Sequence, residues 1–166
     1  RGLGQGMRAV LVNPLMSRIR PSRSPRLAEV AEQLAERRVP MLFAYRSRSP
    51  GEDAIDWYDL ADFCAQFPQV PLIAWEVRTR SNRPLFDALS RTENLIVTTA
   101  SLWQAQMVEQ IARSFGARRL VFSLGLPLLD PGSFQAVVRY ADLPQADRQA
   151  IACGTLQSIL QEARYD

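Results

Sequence analysis

A chain of 166 residues suits one domain and can bury a sizeable core. Its net charge of +3 is modest, all 20 basic residues are Arg, and there is no His. Without histidine the chain lacks the commonest metal ligand and neutral-pH base, which excludes most zinc sites and every Ser-His or Cys-His arrangement. The Arg-only composition is what GC-rich coding produces, and it also supplies planar forks suited to phosphate and carboxylate. Cys64 and Cys153 each fall in an apolar helical pattern and read as buried free thiols, which fits a reducing compartment and a cytoplasmic protein. No run of about 18 apolar residues could span a membrane, and no leader pattern is present.

In chain order, Gly2 to Gly6 carries Gly-x-Gly-x-Gly. A dinucleotide loop would follow a strand and open a helix, whereas these glycines precede a strand over Met7 to Val12, so they read as a turn. That strand ends at Pro14. A polar loop with Arg18, Arg20, Arg23 and Arg26 comes next. Ser24 then caps a helix with Pro25 at its first position and Leu27, Val30, Ala31 and Leu34 at helical spacing. Val39 to Tyr45 is the second strand. The helix from Asp53 to Phe67 buries Ile55, Leu60, Phe63, Cys64 and either Trp57 or Tyr58, and Pro68 ends it. Val70 to Val77 is the third strand, followed by a short helix around Leu85 to Leu89.

Asn94 to Thr99 is the fourth strand. Ser101 with Gln104 reads as a capping box for a helix that Gly116 stops, with Met107, Ile111 and Phe115 on its core face. Arg118 to Gly125 is the fifth strand, entered from Gly116 and closed by Gly125 and Pro127. Helices from Ser133 onward finish the chain. Strands alternating with helices over short connections mean right-handed βαβ units and a parallel sheet. That pattern alone fits both an open doubly wound sheet and part of a barrel.

The segment Arg119-Leu-Val-Phe-Ser-Leu-Gly-Leu-Pro127 with Asp130-Pro131 resembles the last barrel strand of the amidohydrolase-related metal hydrolases and decarboxylases. Gly154-Thr155 and Ser158-Ile159-Leu160 stand where that family carries a Gly-Asn pair and its closing helix. Val39-Pro-Met-Leu-Phe-Ala-Tyr45, Val70-Pro-Leu-Ile-Ala-Trp-Glu-Val77 and Asn94-Leu-Ile-Val-Thr-Thr99 are similar to further barrel strands of the family. The resemblance implies a TIM-barrel-like α/β domain over residues 1–166, incomplete at about five βα units, with the first three or so lying outside the sequence. A whole (β/α)8 barrel takes ~200 residues or more.

The resemblance also implies a divalent metal such as zinc. Its ligand positions fall here on Ala44, on Glu76 or, one residue off, Trp75, and on Gly125. No metal cofactor is therefore expected, and a non-catalytic binding or structural subunit is implied. The alternative is a hydrolase or decarboxylase that uses Glu76, Asp130 or residues outside the chain. Ligands of parallel α/β folds sit at strand carboxyl ends, where Asn13, Tyr45, Thr98 and Thr99 also fall. Arg18, Arg20, Arg46, Arg48, Arg78 and Arg80 come after those ends, and Arg46, Arg48, Arg78 and Arg80 are the candidates for holding a small anion. Basic loops without interleaved aromatics do not suggest nucleic acid. An incomplete barrel leaves a sheet edge open, so a homo-oligomer or a partner chain that completes it is expected.

Overall fold

The computed structural model describes residues 2–45, 55–75, 82–100, 102, 104–126 and 130–165. Five parallel strands form one sheet in the order β1-β2-β3-β4-β5: β1 (Val10–Val12), β2 (Met41–Ala44), β3 (Leu72–Trp75), β4 (Leu95–Thr98) and β5 (Leu120–Val121). Each strand neighbours the next in sequence. A doubly wound sheet reverses its order once, to place helices on both faces. Here α2 (Pro25–Ala35), α3 (Trp57–Gln66), α4 (Asn82–Arg91) and α5 (Met107–Phe115) all pack against one face, sharing a core with Met41, Phe43, Leu72, Ala74, Leu95, Val97 and Leu120. Strand order thus selects the barrel alternative that the βα pattern left open.

The strand alternation arises from the pleat, which sends successive side chains to opposite faces. Ile73, Ile96 and Val121 form a second, smaller cluster on the inner face, with Leu42 against it and Ile159 of α8 (Thr155–Glu162) closing over it. Past α8 the chain reaches the far side of the sheet. Arg164 N–H donates to the Arg37 carbonyl at 2.8 Å, Tyr165 OH donates to the Arg8 carbonyl at 3.2 Å, and the Arg8 guanidinium sits 4.3 Å from the Tyr165 ring centroid.

Local sequence sets most element ends. Ser24 Oγ accepts from Leu27 N–H ahead of Pro25, and Asn13 Oδ1 caps a single turn, α1 (Pro14–Ser17), inside the loop expected to be irregular. Asp56 Oδ1 caps α3, which therefore begins at Trp57 rather than Asp53; Trp57 is the buried aromatic and Tyr58 the exposed one. Gly116, at φ 94°, stops α5 as expected.

Three expectations change. The helix α5 begins at Met107 after Gln106 in the left-handed region (φ 59°), while Ser101 of the expected capping box lies outside the described residues. The fifth strand is Leu120–Val121 alone, with Phe122 to Gly125 leaving the ladder. Asp130 caps α6 (Pro131–Arg139), two residues ahead of the expected start at Ser133. Beyond α6, α7 (Gln145–Gln149) runs into a π-turn over Ala150–Gly154, where Thr155 N–H reaches the Ala150 carbonyl. Cys64 is fully buried as expected, but Cys153 on that π-turn is exposed.

Candidate functional site at the strand carboxyl ends

The register brings the upper inner-face positions into one row. Ala44 pairs with Trp75, the Ala74–Val97 pair sets Trp75 level with Thr98, and Thr98 pairs with Val121. The row thus reads methyl, indole, hydroxyl and isopropyl across four strands. Thr98 is buried, and its Oγ1 donates to the Ala74 carbonyl at 3.4 Å. Gly125 has no side-chain donor and sits at φ 66°, turning the chain out of the rim.

The neighbouring rim hydroxyls are engaged in holding β4 to β5. Ser123 N–H donates to Thr99 Oγ1 at 3.0 Å, Thr99 Oγ1 donates back to the Ser123 carbonyl at 3.4 Å, and Ala100 N–H donates to Ser123 Oγ at 3.0 Å. Asn13 is occupied as the α1 cap. Tyr45 is buried and stacks near Phe43, with ring centroids 6.5 Å apart. Burial first, and then the nearby Asp59, Cys64 and Asp56, holds its phenol well above the usual range, so it stays a neutral hydroxyl.

A divalent metal needs several carboxylate, imidazole or thiolate donors converging on one point. Among the described residues no group of three such side chains could hold a metal ion. Among the described residues, neither the row of Ala44, Trp75, Thr98 and Val121 nor Gly125 beyond it offers a carboxylate, imidazole or thiolate. Of the expected candidates, Glu76, Arg46, Arg48, Arg78 and Arg80 lie outside the described residues. Asp130 is exposed, and its carboxylate accepts from Gly132 N–H and Ser133 N–H, both at 3.3 Å, as the α6 cap. Arg20 lies 3.5 Å from Asp56 in an exposed pair, and Arg18 ends α1 in the left-handed region.

Sequence reasoning passed over two polar features. Asp59 is a buried acid on the core side of α3, and Ser22 Oγ donates to its Oδ1. Arg139 and Arg148 line a cavity between α6 and α7. Neither has a local signature, because a polar residue on an amphipathic helix reads as solvated whether or not tertiary packing covers it.

No family model matches the chain, and no curated protein matches it. Solved structures do. An uncharacterized TIM-barrel protein from Bordetella bronchiseptica superimposes with a TM-score of 0.80 at 16% identity, over 96% of this chain and 59% of that one. The 5-carboxyvanillate decarboxylase from Sphingomonas paucimobilis gives 0.71 at 12% identity, over 94% of this chain and 59% of its own. An amidohydrolase from Mycobacterium avium subsp. paratuberculosis K-10 gives 0.67 at 16% identity, over 96% and 52%. The chain therefore spans between half and two thirds of the length of these structures. The sequential parallel strands, the helices on one face and these superpositions together show that the chain has the TIM-barrel fold of these structures, with five consecutive strands of it among the described residues.

Proposed function

We propose that this chain is an amidohydrolase-type barrel unit that has lost its metal site and serves as a binding or structural subunit. The observation that carries the reading is the upper inner row, where Ala44, Trp75 and Thr98 stand side by side without a metal-ligating carboxylate, imidazole or thiolate. In this reading no divalent cofactor is held. A small anion is bound by Arg46, Arg48, Arg78 and Arg80, and further strands, from a second copy or a partner chain, complete the barrel along β1. The exposure of Leu11 on β1, at 58%, supports the last point.

The competing reading is a hydrolase or decarboxylase whose remaining site residues lie outside this chain. It is favoured by the activities of the similar structures, an amidohydrolase and a decarboxylase, and by the share of those chains left uncovered. Elemental analysis after dialysis against zinc or manganese separates the two. Well under one equivalent of metal is the expected result. One equivalent that disappears in Glu76→Gln would overturn the non-catalytic reading.

A further inference from the structure

A cavity of about 540 Å³ opens between α6 and α7, outside the barrel interior and beside Phe122, where the chain leaves β5. Apolar surface dominates its lining, supplied by Phe122, Val138 and Ala152 together with side-chain methylenes. Two guanidinium groups, Arg139 and Arg148, and the amides of Gln135, Gln145 and Gln149 also line it, and among the described residues no carboxylate does. Among the described residues neither Arg is in an ion pair. Arg148 is positioned by one nitrogen, Nη1, which donates to the Arg139 carbonyl at 3.2 Å, leaving its other donors available. Arg139 lies over Tyr140, 5.6 Å from the ring centroid, a contact that leaves the edge of the fork open.

A cleft of this size with an apolar wall and a few charged donors has the character of a small-molecule site. The glutamine amides both donate and accept and so favour no charge, whereas the two guanidinium groups, which have no acceptor and fork best onto a planar oxyanion, select a negative head group. The wall selects an apolar body. A bare phosphate would satisfy the Arg pair but leave the apolar surface wet, and a neutral alcohol would do the reverse. We propose that the α6–α7 cavity binds a monocarboxylate with an apolar body, its carboxylate on Arg139 and Arg148 and its body against Phe122, Val138 and Ala152. This site is independent of the reading proposed above and of the Arg46, Arg48, Arg78 and Arg80 group.

Titration calorimetry with octanoate on the purified chain tests it, with octanol and inorganic phosphate as comparison probes. Saturable octanoate binding is expected, weakened about tenfold or more in the Arg139→Gln, Arg148→Gln double variant. The same binding should survive Arg46→Ala and Arg78→Ala. Octanol and phosphate should each bind at least about tenfold more weakly than octanoate. A second variant, Ala152→Glu, places a competing carboxylate at an exposed lining position and should abolish octanoate binding without unfolding the chain, as circular dichroism would report. Absence of saturable octanoate binding, equal affinity for octanol, or full affinity in the double variant would each overturn the site.

Discussion

The backbone N–H of Phe122 donates to the carbonyl of Ile151 at 3.0 Å. Because the Val121 carbonyl faces β4, where it accepts from Thr99 N–H at 2.9 Å, the next amide points to the free side of β5. The π-turn therefore lies along that edge and pairs a donor that a neighbouring strand would otherwise take. The β5 edge is thus short and partly covered, while at the other end of the sheet Leu11 of β1, level with Leu42 on the inner face, is exposed.

Arg119 closes the opposite end of the sheet. Its Nε donates to the Leu95 carbonyl at 2.6 Å, and Nη2 donates to the Leu89 carbonyl and Thr92 Oγ1, each at 3.2 Å. Arg119→Ala leaves those carbonyls half-buried and unpaired, so urea unfolding should show a loss of about 2–3 kcal/mol. Arg119→Lys should be intermediate, because an ammonium cannot span three acceptors held by a planar fork. An unchanged urea midpoint in Arg119→Ala would show that the bonds contribute nothing net.

Burial pushes the Cys64 thiol up to about 12 in the folded chain, only partly offset by Arg119, whereas a thiol in the unfolded chain titrates near ~8.5. The folded state thus holds its proton where the unfolded state releases it. The stability this contributes is complete below the unfolded value and is lost as pH rises toward the folded one. Tyr45 shifts in the same direction and adds to the loss at higher pH. Urea midpoints should fall between about pH 8.5 and pH 11, and Cys64→Ala should flatten the lower part of that decline. In the native protein at neutral pH a thiol reagent should label Cys153 and leave Cys64 untouched until unfolding. Rapid labelling of both would contradict this.

Asp130 separates capping from catalysis. Its carboxylate satisfies two amides at the start of α6, so Asp130→Ala should cost about 1 kcal/mol in thermal or urea unfolding. Asp130→Asn, an equally good cap, should restore nearly all of it. If a hydrolytic or decarboxylating activity is found and survives Asp130→Asn, the residue is a cap alone.

The elements most legible in the sequence are those whose signals are local. Ser24-Pro25 and Gly116 act through their own backbone, and each stands where its chemistry predicts. The start of α5 at Met107 is not set by a local pattern that spacing reveals: Gln106 enters it in the left-handed region, and Leu102 before it is buried with its N–H on the Thr99 carbonyl. A helical wheel misplaces Cys153 because it assumes constant pitch. The π-turn widens the helix by one residue and rotates the positions after it. The strand order, which decides between barrel and doubly wound sheet, leaves no trace in a repeat of strands and helices. The upper row can be composed only once Ala44 and Trp75 are set in register, since they lie in separate strands. The Arg139–Arg148 cavity depends on how α7 folds back beside α6, which no spacing within either helix encodes.

The contact of Tyr165 with Arg8 joins residues 157 positions apart and brings the segment after α8 to the approach of β1. In mechanical terms the chain is buckled at one corner. A pull on residue 165 is taken up together by Arg8, by the Arg37 carbonyl and by the Arg38–Glu162 pair. Load therefore enters the sheet at β1 and β2 as well as through Ile159 near β5. Among the described residues α8 is thus fastened twice, by Ile159 over the inner face and by the corner contacts made at and just after its end.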